Sequence, residues 1–65
     1  MDHTIEVPIG TLLRYERERR HLTQQVVGDA IGVTKEAVSL WETGVTEPNP
    51  RNRAALRSWL DETAP

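Results

Sequence analysis

The hydrophobic positions of this chain recur at helical spacing, not at the alternation of strands. Ile9, Leu12 and Leu13 stand at i, i+3 and i+4, the mark of a buried stripe, and Pro8 suits a first turn, so a first helix is expected from about 8 to 20. Arg17, four residues after Leu13, continues the stripe inward, where a charge needs a partner. Thr23 can cap a second helix, which turns Val27 and Ile31 inward and stops at Gly32, since glycine takes left-handed backbone angles without steric cost. Val33 then leads to Thr34, the cap of a third helix that runs through Trp41 or Glu42 and ends at Gly44. Val45 to Pro50 is a loop by its two prolines and asparagine. Asn49-Pro50 opens a last helix, with Leu56 and Leu60 inward, that runs to about Glu62. The pattern predicts an all-α domain over 8–62, between an N-terminal tail at 1–7 and a C-terminal tail at 63–65, with no internal repeat.

Length narrows this to a single domain. A chain of 65 residues buries only about 60% of the surface its unfolded form exposes, so stability is thin. It contains no cysteine, and His3 and His21 share no ligand spacing, so neither a disulfide nor a metal nor any other cofactor is expected. No apolar run approaches the length of a membrane span, and the N-terminus lacks the regions of a signal peptide. A cytoplasmic protein without a membrane partner is expected. The formal charge of −2 speaks against a nucleic-acid partner until its distribution is considered. Asp2, Glu6, Asp61 and Glu62 lie at the ends, whereas 14–57 carries all eight basic groups against six acidic ones. Arg51, Arg53 and Arg57 follow one another with no acid between them; such a run is either a solvated helix face or a phosphate track.

Two short helices joined by Gly32-Val33-Thr34 are too brief to be stable alone, yet such a turn lets one support the other at a surface. On a helical wheel Thr34, Ala37, Val38 and Trp41 share one arc. Lys35, Glu36, Ser39 and Thr43 occupy the opposite arc, with Leu40 at its edge. That outer arc suits the edges of bases in a major groove, where lysine donates to guanine and glutamate accepts from cytosine. It equally suits plain contact with solvent.

The run Leu13-Arg14-x-x-Arg17-x-x-x-x-Leu22-Thr23-Gln24, then Ile31-Gly32-Val33-Thr34, Val38-Ser39-x-Trp41-Glu42-x-Gly44 and Pro48, resembles the Cro and phage-repressor type of helix-turn-helix, the lambda-repressor-like or XRE family. The resemblance covers about residues 9–60 and implies a lambda-repressor-like bundle of four to five short helices. Its third helix would enter the major groove of an operator, commonly as a homodimer. It makes Lys35, Glu36, Ser39 and Leu40 the base-reading set and Gln24, Thr34 and Thr43 phosphate contacts. It pairs Arg17 with Glu42, which answers the puzzle of a charge on an apolar face. Three positions depart from the family pattern. Gly28 replaces the usual alanine, at a cost of roughly 1 kcal/mol in helix propensity. Val26 replaces a polar residue, and Glu47 stands where relatives often carry a base, leaving Arg51 and Arg53 to hold the DNA backbone.

The function this implies is that of a small transcriptional regulator, a Cro-like phage or prophage repressor on a near-palindromic double-stranded DNA operator, with no small-molecule ligand. The alternative is an antitoxin or adaptor that mainly binds a protein, with Val26 and Trp59 as its contacts. Trp59 either closes the core near Trp41 or projects with Ala55 into a dimer contact. An enzyme is not expected, because Ser39, Ser58 and two remote histidines supply no nucleophile, base and orienting acid together.

Overall fold

Each helix starts and stops where a side chain or a left-handed residue satisfies the backbone groups that a helix end leaves open. The computed structural model describes residues 7–63, which form α1 (Ile9–Arg19), α2 (Gln24–Ile31), α3 (Lys35–Thr43) and α4 (Pro50–Thr63), with no strand among the described residues. Thr23 and Thr34 open α2 and α3, their hydroxyl oxygens accepting from Val26 N–H and Ala37 N–H at 3.1 Å each. Asn49 does the same for α4, its Oδ1 accepting from Asn52 N–H at 2.8 Å. Pro8 lies just outside α1 with ψ 143°, and its carbonyl accepts from Thr11 and Leu12 at 3.0 and 3.2 Å.

Gly32 and Gly44 close α2 and α3 with φ of 83° and 78°. The end of α1 is built the same way without a glycine. His21 takes φ 59°, its N–H donates to Glu18 O at 3.0 Å, and Leu22 N–H donates to Arg17 O at 3.0 Å. That pair of bonds is a Schellman closure, and it places the stop at Arg19, one residue before the expected end. α3 extends one residue beyond its expected limit, because Gly44 N–H and Val45 N–H reach back to Trp41 O and Leu40 O at 3.2 and 3.0 Å.

The core consists of Ile9, Leu13, Val27, Val38, Trp41 and Leu56, with Ile31, Val33, Ala37, Trp59 and Leu60 packed around it. Leu13, Val27, Val38 and Leu56 are completely buried, each worth about 1.5–3 kcal/mol relative to exposure. Leu12 is a correction to the expected stripe, since it is 38% exposed. Gly10 is buried instead, which turns the inner face of α1 toward Gly10, Leu13 and Arg17 and leaves Leu12 about 100° outside it. α3 packs against both α2 and α1, and α4 closes on the same two helices. The third helix is thereby held from behind along its length.

Candidate nucleic-acid interface

The position of α3 depends on two glycines whose missing Cβ atoms allow close backbone approach. A Cβ on Gly28 would lie 2.6 Å from Val33 O, so the turn between α2 and α3 runs directly against α2. A Cβ on Gly10 would meet the carbonyl of Trp41, so α1 touches the backbone of α3 itself. Gly10 carries no motif of its own; its only signal in the sequence is its place on the helical wheel beside Leu13 and Arg17. On the inner side of α3, Val38 and Trp41 are buried and Ala37 half-buried. Thr34, placed inward by the helical wheel, is exposed, because as the cap its side chain folds over the helix end to accept from Ala37 N–H.

Polar bonds fix the other end of the helix. Arg17 donates Nε to Glu42 Oε2 at 2.7 Å and Nη2 to Glu42 Oε1 at 2.8 Å, a two-pronged ion pair. Its remaining Nη1 donates to Leu22 O at 2.9 Å, and Gln24 Nε2 donates to Glu42 Oε1 at 3.1 Å. The Glu42 side chain is 2% exposed and that of Arg17 14%, so the pair lies in the interior. Glu42 raises the affinity of the guanidinium for its proton through this hydrogen bond. The Arg17–Glu42 pair therefore joins α1, the connection after it, the first turn of α2 and the last turn of α3. Gln24 consequently spends an amide proton inside the molecule.

The outer face of α3 is left open. Lys35, Glu36, Leu40 and Thr43 are exposed and Ser39 is half-buried, so the structure brings these side chains onto one surface. Thr34 spends its hydroxyl oxygen on capping and keeps its proton for an acceptor outside the protein. Thr43 does not, since its hydroxyl donates to Ser39 O at 3.0 Å and to Leu40 O at 3.3 Å. Arg53 Nη2 donates to Glu47 Oε1 at 3.1 Å, so the acidic loop residue neutralises one of the two arginines nearest to it. Along α1, Arg14 pairs with Glu18 at 3.1 Å, and Arg19 and Arg20 flank Glu16 at 2.6 and 3.5 Å. These contacts, led by the bond from Arg19, hold the Glu16 carboxyl below its ordinary value. Among the described residues Lys35, Arg51 and Arg57 have no carboxylate partner, and they carry the unneutralised positive charge. In the sequence Arg57 belongs to the same acid-free stretch as Arg51 and Arg53, but only those two are expected at the DNA backbone.

Ala55 and Trp59 are half-buried on α4. Trp59 packs against the core and, with Ala30, Ile31, Ala55, Ser58 and Glu62, lines a shallow cleft between α2 and α4. Val26 is 47% exposed on α2. No group of three or more potential metal ligands occurs among the described residues, and none of their helices is long and apolar enough to cross a membrane.

A helix-turn-helix family profile matches residues 13–56, which contain the turn at Gly32, the whole of α3 and the Arg17–Glu42 pair. The chain belongs to the helix-turn-helix family. Within this family it is 38% identical over 52 residues to Repressor protein C2 of Salmonella phage P22, a match covering 80% of this chain and 24% of that protein. It is 35% identical over 57 residues to the HTH-type transcriptional regulator DicA of Escherichia coli strain K12, covering 88% of this chain and 42% of that one. The chain thus spans less than half the length of both relatives. The helix-turn-helix fold also matches the crystal structure of the P22 c2 repressor protein in complex with synthetic operator 9T in the presence of Tl+. That match has a TM-score of 0.77 at 34% identity and covers 86% of this chain and 85% of that one.

Proposed function

We infer that this chain is the DNA-binding unit of a repressor-like transcriptional regulator and that α3 reads sequence in the major groove. One observation carries the reading: α3 is fixed from behind by packing and by the Glu42 carboxylate, while Lys35, Glu36, Ser39 and Leu40 project from its free side. A reading helix needs that combination, because specificity depends on side chains held in register with the base edges. The likeness to a repressor solved on its operator supports the same placement.

Backbone contacts position such a helix. Thr34, with its free hydroxyl proton, and Arg51, with an uncompensated charge, are the strongest candidates for phosphate. Gln24 contributes through its second amide proton or through the open N–H groups of the first turn of α2. Thr43 and Arg53 contribute only after leaving their present partners. A homodimer on a near-palindromic operator would set two copies of α3 about 34 Å apart on one face of the duplex. Ala55 and Trp59, at the surface of α4, are the candidates for its contact. So small a unit gains usable affinity by pairing, and binding should fall steeply with salt.

The test is selection from a random duplex pool at low ionic strength, followed by the particle mass with and without the selected site. A defined consensus with dyad symmetry and a doubled protein mass on DNA are expected. Failure to retain any duplex would refute the reading.

A further inference from the structure

The outer face of α3 holds two side chains that a generic DNA-facing surface would avoid. Glu36 is an exposed carboxylate with no cationic partner among the described residues, on the face that would approach a polyanion. Leu40, one helical turn later, is apolar and 41% exposed, although the rest of that face is polar. Glu36 is unexpected on a face that meets a polyanion and Leu40 on a polar face, and both lie on one line along the helix.

Resting on the DNA-binding reading above, we propose that Glu36 and Leu40 act as a pair that selects a cytosine and a neighbouring thymine. Only two donors face the major groove, N4 of cytosine and N6 of adenine. Adenine sets its N7 acceptor beside N6, where it would oppose a carboxylate, whereas cytosine presents its donor alone. Glu36 therefore accepts from cytosine N4. The one apolar group in that groove is the C5 methyl of thymine, which is what Leu40 can cover. Four residues of helix advance about 6 Å, close to two base steps of roughly 3.4 Å. The cytosine and the methyl group accordingly lie within about two steps of each other.

The experiment uses the whole chain and the duplexes retained from a random pool. Each thymine of the selected half-site is replaced by uracil, which lacks only the methyl group. One replacement is expected to weaken binding about fourfold, the effect of exposing one buried methyl group. Leu40→Ala should bind the thymine and uracil duplexes alike, with its thermal melt unchanged because the side chain is exposed. Exchanging the cytosine pair for a thymine–adenine pair should cost about tenfold to a hundredfold, and Glu36→Ala should level that difference. If duplexes are retained but share no cytosine, or if uracil binds as well as thymine at every position, the pairing is overturned and the DNA-binding reading stands. If no duplex is retained, both fall.

Discussion

Arg17 and Glu42, 25 residues apart in sequence, meet through two hydrogen bonds of 2.7 and 2.8 Å and tie the first helix to the end of the third. Because the Glu42 side chain is 2% exposed, removing its partner leaves a carboxylate in the interior with only Gln24 to serve it. Arg17→Ala is expected to destabilise the fold by about 3–5 kcal/mol. In a domain of this size each 1 kcal/mol shifts the melting temperature by about 4–8 °C, so the variant should melt about 12–40 °C below the wild type. A thermal melt by far-UV circular dichroism checks it. A shift too small to measure would show that the pair is dispensable.

His21 holds a left-handed conformation at φ 59° to close α1. A side chain there costs roughly 1–2 kcal/mol that glycine does not incur, partly offset by the greater entropy glycine brings to the unfolded chain. His21→Gly should therefore raise stability by up to about 1 kcal/mol. Chemical denaturation with an unchanged m-value is the measurement, and a loss of stability would mean that the imidazole makes a contact that matters more than the backbone.

Gly10→Ala should act in the opposite direction. Alanine favours the helix by about 1 kcal/mol, but its methyl group would run into the carbonyl of Trp41, a backbone atom that cannot move without α3. Overpacking against backbone costs about 1–3 kcal/mol or more, so a net loss of up to about 2 kcal/mol or more is expected, together with weaker binding to any selected duplex. A variant that gains stability and keeps its affinity would show that α1 and α3 separate freely.

The Arg19–Glu16 pair gives a pH dependence of definite sign. The folded-state carboxyl is held below its ordinary value, so its contribution is present at neutral pH and is lost as pH falls through the depressed folded value. Arg19→Ala should move the Glu16 titration, followed by NMR, back toward the usual value of about 4.3. The stability gap between wild type and variant should close as pH drops below that range. An unmoved titration would assign the shift to Arg20 instead.

Much of this architecture is legible in the chain itself, because short-range chemistry dictates it. Thr23, Thr34 and Asn49 mark helix starts, and Gly32 and Gly44 mark stops, since capping and left-handed closure act within a few residues. What the sequence hides depends on three-dimensional neighbours. The exposure of Leu12 follows from Gly10 taking its place against Trp41, and a stripe of apolar letters does not record which flank a neighbour covers. The stop at His21 lacks the usual glycine. Which polar groups of the site are already engaged is likewise invisible: Gln24, Thr43 and Arg53 read as free donors until Glu42, the carbonyls of α3 and Glu47 are placed beside them.

That last distinction separates two arginines that are alike on paper. Arg51 is exposed with no carboxylate partner among the described residues, whereas Arg53 is bound to Glu47. A phosphate can recruit Arg51 at no cost to the protein, but it must compete with Glu47 for Arg53. Each phosphate neutralised by a side chain contributes about 0.9 to the slope of log affinity against log salt. Arg51→Ala should therefore reduce that slope by about 0.9 per bound protomer and weaken all duplexes equally, while Arg53→Ala should change it much less. Glu47→Ala should free Arg53 and steepen the slope, and combining it with Arg53→Ala should cancel the gain. If Arg51→Ala instead alters which sequence is preferred, the side chain touches base edges and belongs with Lys35. If Arg51 and Arg53 prove equivalent, the Glu47 contact does not survive the approach of DNA.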